Sequence, residues 1–457
     1  MNSISGSIYS VLSALNTYSA AIDVTSTNIA NAESAGYSRQ TAVISEKLAA
    51  DGTGYGVDVS TIKRAYDSFL TAQLRRASQD LGKSNVEVEM FRAIEAVFTD
   101  SENTGLSKAM SQFWNAWQGL VNDPSSPTAR SVLASSSDTL AKTFNSTSSD
   151  LSAISLKMDD GIHETVEEIN KLTRQISDTN QKIIAMEASG LSANSVRDHL
   201  DSLVQELSSL AEINISTNDA GQINVQMANG KPLVEGTSTW MLSAEKDANT
   251  GLLDVTWLDT EGNSIVVTQS VTRGKLAGYL EARNELASYQ DQLDALAVSM
   301  MDQVNTLHQG GYDLYGSSGA AFFSGTGAAD MKVQAAILND PGKIAAASAG
   351  GGTGGSANAE AIAELQTSFL MNGTSTYSDY FNAMVGNIGS AVQAAEIDNE
   401  GLSNAQTFYT NQCLSVSGVS VDEEMARLVL YQNAYDAAAK LMTVFDEMMQ
   451  TLIATMD

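Results

Sequence analysis

The chain of 457 residues contains one cysteine, Cys413, four prolines and three histidines. A lone thiol excludes an internal disulfide and any thiolate metal cluster within one chain, so packing alone must hold the fold. Scarce proline leaves room for long, uninterrupted helices. Charged residues are also few, at 17% of the chain, against ~25% in ordinary soluble domains. Basic residues are the scarcest: 25 Lys and Arg face 54 Asp and Glu, for a net charge of −29. Such a surface repels a phosphate backbone and an anionic bilayer, which argues against nucleic acid as a partner. No apolar run approaches the ~20 residues needed to span a bilayer, so no membrane insertion is expected. Residues 1–32 carry no Lys or Arg and no continuous apolar block, so no cleavable signal peptide is expected. That leaves either the cytoplasm or an export machine that reads an uncleaved N-terminus.

What is present is periodicity. Ile4, Ile8, Val11, Leu15, Tyr18, Ile22, Thr25 and Ile29 alternate in steps of four and three, a heptad seam. At the other end Leu428, Tyr431, Tyr435, Ala438, Met442, Phe445, Met449, Leu452 and Met456 follow the same rule. Ser420 and Glu423 have capping-box spacing ahead of that helix, and Asp422 and Glu424 place negative charge where the helix dipole favours it. From Val421 to Met456 such a helix would be about 54 Å long. Further seams run through Leu70, Leu74, Ala77, Leu81, Val88, Phe91 and Phe98, then Met158, Ile162, Ile169, Leu172, Ile176, Ile183 and Met186. Two more pass Leu286, Tyr289, Leu293, Leu296, Met300 and Leu307, and Phe381, Met384, Ile388, Ala395, Leu402 and Tyr409. Between Ile213 and Val271 the period drops to two, with turn signals at Asp219 to Gly221, Asn229-Gly230, Asn249 to Gly251 and Gly262-Asn263. The run "GGGTGGS" from Gly350 reads as a flexible connector. The predicted fold is mainly α, an elongated helical bundle with N- and C-terminal coiled-coil helices and a small β-rich inserted domain.

Motifs for chemistry fail on context. "ASQDLGKS", residues 77–84, ends like a phosphate loop, but that loop needs a preceding strand and here the helical seam of Leu74, Ala77 and Leu81 runs straight through. "HETVEE" from His163 lacks the second histidine of a zinc-protease helix. His199 lies between Asp198 and Asp201, and His308 stands alone near Gly310. No metal-ligand spacing, nucleophile elbow or cofactor motif emerges, so no catalytic, metal or cofactor-binding residue is assigned and no enzyme activity is expected.

One stretch is distinctive. "NIANAESAGYSRQ", residues 28–40, closes a nearly uncharged helix, whose one charge is Asp23, with a Gly-Tyr turn. It resembles the N-terminal signature of bacterial flagellar axial proteins, and Arg39-Gln40 after the turn favours the hook-associated type. "YDSFLTAQLRRA" from Tyr66, "DHLDSLVQELSSL" from Asp198, "MANGKPLVEG" from Met227 and the segment from Ser417 to Leu452 also resemble the FlgK family of hook-associated proteins, in the right order. The signature residues are Asn28, Asn31, Gly36, Tyr37, Arg39 and Gln40. Larger family members carry a further domain between the positions of Phe323 and Ile362, which this chain crosses in about forty residues.

The resemblance implies an uncleaved N-terminal export signal and a ring of subunits between hook and filament. Its implied partners are other copies of the chain, the hook protein, the next hook-filament junction protein and an export chaperone on the C-terminal helix. The terminal helices would pair as an inner axial unit, residues 1–35 with 418–457. A helical rod, 36–210 with 273–417, would carry an outer β-rich unit, 211–272. The axial interface would comprise Ile4, Ile8, Val11, Leu15, Tyr18, Ile22 and Ile29 against Leu428, Tyr431, Tyr435, Met442, Phe445, Met449 and Leu452. Alternatives are another axial component, hook or distal rod, and more remotely a secreted effector or enzyme; the seams could also close a bundle within one monomer.

Overall fold

The computed structural model describes residues 2–48, 54–99, 105–248, 251–259, 261–349, 352 and 354–456, with side chains from residue 6 to 455. The chain opens with helix α1 (Asn2–Ala30), then a hairpin of β1 (Gln40–Leu48) and β2 (Gly54–Arg64). Helices α2 (Ser68–Phe98), α3 (Leu106–Asn122), α4 (Pro127–Ala188) and α5 (Asn194–Leu210) follow. Next come strands β3 (Ile213–Thr217), β4 (Ile223–Met227), β5 (Pro232–Glu235), β6 (Ser238–Thr239), β7 (Met241–Lys246), β8 (Leu253–Leu258) and β9 (Ser264–Val266). The remainder is α6 (Gly274–Gly310), β10 (Phe323–Ser324), β11 (Lys332–Val333), α7 (Ala335–Asn339), α8 (Ala357–Glu364), α9 (Tyr377–Ser417) and α10 (Val421–Met456). The fold is mainly α, as the periodicity requires.

Local sequence sets the helix starts. Asp67 accepts hydrogen bonds from the Phe69 and Leu70 amides, Ser126 from Ala129 ahead of Pro127, and Thr376 from Asp379. With no proline after its first turn, α4 runs for 62 residues, about 93 Å. Its seam residues Met158, Ile162, Ile169, Leu172, Ile176 and Ile183 are buried, as are Leu286, Tyr289, Leu293, Leu296 and Met300 of α6. In α2 the buried stripe leaves the expected register and passes through Val86, Met90, Ile94 and Phe98, with Val88 and Phe91 half-buried. The cause is that α2 is packed on two sides, against α9 and against α6. A Cβ on Gly82 would come 2.1 Å from the Ser209 carbonyl oxygen, and one on Gly278 2.5 Å from that of Lys83. The glycine of "GKS" therefore serves backbone-to-backbone packing. Lys83 itself pairs with Glu281 at 2.6 Å and Glu87 at 3.4 Å.

The β-rich insert consists of a four-stranded sheet, β3-β4-β5-β6, and a three-stranded one, β7-β8-β9. Its turns use glycine in the left-handed region at Gly221, Gly230 and Gly262; Asn249 lies outside the described residues. Two buried asparagines on α4 fasten it. Asn170 donates to the Leu242 carbonyl at 2.7 Å and accepts from the Leu242 amide at 2.8 Å. Asn180 donates to the Ile223 and Gly236 carbonyls, both at 2.8 Å, and accepts from the Ile223 amide at 3.1 Å.

The forty residues after Phe323 are no plain linker. Phe322, Phe323, Met331, Val333, Ile337 and Ile344 are buried, closing an aromatic core with Phe113, Trp114, Trp117 and Tyr377. Arg130, buried in α4, clamps the Asp340-Pro341 loop through the carbonyls of Pro341, Gly342 and Ile344. Of the glycine run itself, positions 350, 351 and 353 lie outside the described residues.

His308 belongs to this core. The Ala345 amide donates to Nε2 at 2.9 Å, so Nδ1 carries the proton and donates to the Ala320 carbonyl at 2.6 Å. Burial lowers its pKa, and Arg130 adds to this against the opposing pull of Ala320 and Asp313. A folded-state pKa below the unfolded value of 6.5 means that the unfolded chain takes up the proton first as pH falls. Stability from this site is complete above that value and lost below it, by up to about 1.4 kcal/mol per pH unit. Denaturant unfolding at pH 7.5, 6.5, 5.5 and 5 should give a shallower acid-side slope for His308→Gln than for the parent; equal slopes would show that His308 is not the titrating group.

Candidate functional site at the joint of the chain ends

Helices α1 and α10 run antiparallel. Asn28 meets Glu424, the rings of Tyr18 and Tyr431 lie 6.5 Å apart, and Ile8 and Leu15 share a groove of about 380 Å³ with Tyr435, Ala439, Met442, Phe445 and Met449. Of the expected seam, Ile8, Leu15, Tyr18, Tyr431, Tyr435, Met442, Phe445 and Met449 thus lie along the contact between the two helices, which is only partly dry. Val11 is buried; Ile8, Leu15, Tyr18, Ile22, Ile29, Leu428, Tyr431, Met442 and Phe445 are half-buried; Tyr435, Met449 and Leu452 are exposed. The side chain of Ile4 lies outside the described residues. The outer side of α10 is apolar and open, with Leu430 63%, Leu441 52% and Ile453 60% exposed.

The best-buried side of α1, Thr17, Ala21, Thr25 and Asn28, faces a neighbour that the sequence pattern does not reveal. This is the β1–β2 hairpin, which packs along α1. Thr17 donates to the Val57 carbonyl at 2.9 Å, and a Cβ on Gly56 would come 2.9 Å from that of Ser13. Helix α1 is thus held between α10 and the hairpin.

The signature turn ties these elements to the body. The Asn28 side chain is fully buried and makes all four hydrogen bonds open to an amide. It donates to the Gln40 carbonyl at 2.8 Å and to Glu424 Oε2 at 2.9 Å. It accepts from the Gln40 amide at 2.9 Å and from the Tyr37 hydroxyl at 2.8 Å. Burial, then the nearby Asp198 carboxylate, raises the Tyr37 pKa and keeps it a donor. Asn31 donates back to the Thr27 carbonyl at 2.9 Å and accepts from the Ser34 hydroxyl at 3.2 Å as the helix ends. Gly36 adopts φ 76°, and a Cβ there would sit 2.7 Å from Ser202 Oγ. Both facts restrict the position to glycine.

Beyond the turn the Ser38 amide donates to Asp198 at 3.1 Å, and the Arg39 amide to the Ser417 carbonyl at 2.8 Å, just ahead of α10. The Arg39 guanidinium reaches Glu423 at 3.4 Å. Glu423 thus faces Arg39, and the expected capping box is loose, its amide lying 3.5 Å from Ser420 Oγ. Asn194 of α5 donates to Gln40 Oε1 at 3.1 Å and to the Ile62 carbonyl at 2.9 Å. Arg64 closes the joint on Asp198 at 2.8 Å and Asp201 at 2.6 Å. Burial alone would lower its pKa, but the two carboxylates raise it.

Sequence reasoning assigned Asn28, Asn31, Gly36, Tyr37, Arg39 and Gln40, and the structure gathers all six at this joint. It missed Glu424, Asp198, Asp201, Arg64 and Asn194. The aspartates had a signal, since they flank His199 inside the family-like stretch from Asp198. His199 itself is exposed, and His163 lies 3.6 Å from Glu167 on an exposed helix face. Among the described residues no cluster of His, Cys, Asp and Glu could hold a metal ion, and no helix is long and apolar enough to cross a membrane.

Replacing Asn28 by Asp keeps the shape but loses two donors and sets a carboxylate against buried Glu424. With about 1–3 kcal/mol at stake per unmet buried group, hydrogen exchange in α1 and β1 should accelerate at least about a hundredfold. Exchange in α4 and α6 should stay near the parent rate. Unchanged protection of α1 would mean that Asn28 does not hold the joint.

Comparisons with known proteins agree with this architecture. The family model described as the flagellar hook-associated protein FlgK helical domain matches residues 91–323, about half of the chain. That described as the flagellar basal body rod FlgEFG protein C-terminal matches residues 410–455. Flagellar hook-associated protein 1 of Bacillus subtilis is 29% identical over 96% of both chains. Its namesake from Escherichia coli is 27% identical over 98% of this chain and 100% of its own. The solved structure of the flagellar hook junction protein FlgK from Burkholderia pseudomallei superposes with a TM-score of 0.67, at 17% identity, over 76% of this chain and 100% of that one. A match to the helical-domain model over half the sequence, on a fold with this joint, makes the chain a member of the FlgK family of hook-associated proteins, structural components of the bacterial flagellum.

Proposed function

We propose that the chain forms the ring that joins hook to filament, with α1 and α10 as its axial interface. The observation that carries this reading is that the terminal pair is apolar on two sides while a single chain covers only one of them. Two helices and a small hairpin bury too little to stand alone, so neighbouring copies complete the packing. Residues 1–35 with 418–457 act as the inner axial unit, with the β1–β2 hairpin riding on α1. The helical rod is 36–210 with 273–417, and 211–272 is its outer unit. The hook protein and the next junction protein contact this ring from either side. The C-terminal segment is of a kind shared with rod proteins, since residues 410–455 match their model; the segment 91–323 favours the hook-associated role over rod or hook. A structural role is what the relatives' names describe, and the joint holds hydrogen bonds used for fastening rather than chemistry. Export proceeds through the flagellar channel without cleavage of the N-terminus.

Phe445→Asp tests the interface. It sets a carboxylate into the groove beside Ile8 and Leu15, where an uncompensated charge costs several kcal/mol once neighbours exclude water. In the isolated chain Phe445 is only half-buried, so the body should melt within about 2 °C of the parent. Cells carrying the variant should lose motility and show hooks without filaments by electron microscopy. Normal junctions, with a large loss of monomer stability, would make the terminal helices an intramolecular bundle instead.

The export chaperone holds the apolar side of α10 before assembly, as a groove holds an amphipathic helix. Removing residues 421–457 should abolish chaperone capture in a pull-down. Undiminished capture would place that site elsewhere.

A further inference from the structure

Strand β3 has an open edge. Among the described residues it pairs with β4 alone. The direction of its free groups follows from the ladder. The Met227 amide donates to Lys231 and its carbonyl accepts from Gly230, so Met227 points toward β5 and away from its β3 partner, Ile213. The Asn218 amide donates to the Gln222 carbonyl, extending the bonded series through Ser216–Asn224 and Asn214–Gln226. By alternation the N–H and C=O groups of Ile213, Ile215 and Thr217 point outward. One is already taken, because Gln79 of α2 donates to the Ile213 carbonyl at 3.1 Å, much as a neighbouring strand would.

Past Ile213 the edge borders a groove of about 570 Å³ between β3 and the first turns of α2. Its far wall carries Arg75 and Arg76, and Arg273 lies at its end. Arg273 is paired with Asp80 at 3.0 Å. Arg75 reaches only the Thr71 carbonyl at 3.3 Å and the Tyr66 hydroxyl at 3.2 Å, and Arg76 is exposed. Among the described residues neither has a carboxylate partner, in a chain where acidic residues outnumber basic ones 54 to 25.

We propose that this groove takes an extended, carboxylate-bearing segment of a partner protein, which adds as a strand to β3 and sets its acidic side chains against Arg75 and Arg76. Main-chain bonds to an open edge supply affinity, and the flanking charges select the sequence. Native sheets blunt an open edge with charged side chains, proline, bulges or a covering helix or loop. Beside this edge Glu212 is engaged by Arg273 and Thr272, whereas Arg75 and Arg76 are opposite in sign to the chain's net charge and without a carboxylate among the described residues, which favours an acidic occupant.

The test uses the full chain and a short fluorescein-labelled peptide alternating Glu and Val, read by fluorescence anisotropy. Its counterpart with every backbone amide N-methylated carries the same charge but has no N–H to donate to a strand edge. The first peptide should bind and weaken with added salt. Binding should fall about tenfold or more in Arg75→Glu/Arg76→Glu and recover in part in Arg75→Lys/Arg76→Lys. It should also fall in Thr217→Pro, which removes one outward donor from the edge while leaving the ladder to β4. Should Thr217→Pro disturb the insert by circular dichroism, the surface arginine variants alone decide. Equal binding of both peptides would reduce the groove to a patch of charge and overturn strand addition, as would no binding at all at low salt. Sedimentation of the chain alone separates the remaining occupant: a dimer that dissolves in Arg75→Glu/Arg76→Glu would show that a second copy of this chain, not a separate partner, fills the edge.

Discussion

A buried side-chain amide that stands in for a missing strand is the interaction on which this architecture depends. Helices satisfy their own backbone, but every irregular segment laid against a helix must find partners for its N–H and C=O groups. Here α1, α4 and α6 supply them with asparagine. Asn28 takes both backbone groups of Gln40, Asn170 both of Leu242 and Asn180 both of Ile223. Asn305 of α6 accepts from the Phe322 and Phe323 amides at 2.7 and 2.8 Å and donates to the Phe323 carbonyl at 3.1 Å. Each contact pins a turn, sheet or loop to one place on a rod, because a slip of one residue would leave several buried polar groups unmet at about 1–3 kcal/mol each. The hydrophobic seams decide which helices meet; the asparagines decide where everything else attaches.

The two ends of the molecule are built to different standards. In the body, aromatic and aliphatic side chains from α3, α6, α9 and the loops after Phe322 are wholly excluded from water. In the α1–α10 pair most seam residues are only half-buried, and Leu430 and Ile453 on the outer side remain more than half exposed. Apolar burial contributes in proportion to area removed from water, so this pair draws little stability from its own contacts. What it has is a firm root. The hairpin, Tyr37, Arg39, Arg64 and α5 fix the base of α1, while Glu424 and the link from Arg39 to Ser417 fix the base of α10.

Legibility in the sequence followed the physics of each contact. Heptad seams could be read because they are long and repeat one stripe; α4 and α6 bury all the predicted residues but Met186 and Leu307, which are half-buried near the helix ends. On α2 the register failed where two neighbours, α9 and α6, widened the buried face and moved it to Met90 and Ile94. The β1–β2 hairpin was not read, since Ala42 is its one buried described side chain and Val43, Ile44, Val57, Val59 and Ile62 are only half-buried. The signature turn was visible as a resemblance, yet its reason was not: nothing local distinguishes Asn28 from other helical asparagines. Its partners lie 9, 12 and 396 residues away. Glu424 was legible only as a favourable charge on a helix N-terminus, whereas its fold role is to be buried against that amide.

That pairing resolves an ambiguity which the heptads create. An antiparallel seam of similar apolar residues tolerates a slip of one heptad, about 10.5 Å along the helix, with Ile, Leu, Met and Tyr still facing one another. After such a slip Asn28 would lie opposite Tyr431, or past the start of α10, rather than opposite Glu424. The Glu424 carboxylate, which is buried here and whose Oε1 already lacks a hydrogen bond, would lose the Asn28 donor at Oε2 as well. Arg427, with its Nε 3.9 Å from Oε1, offers only a loose replacement. One polar pair in a permissive seam thus fixes register at a cost in gross stability, the best-attested use of buried polar groups between helices. A pair of helices that buries little of its own seam can in this way still hold one defined surface.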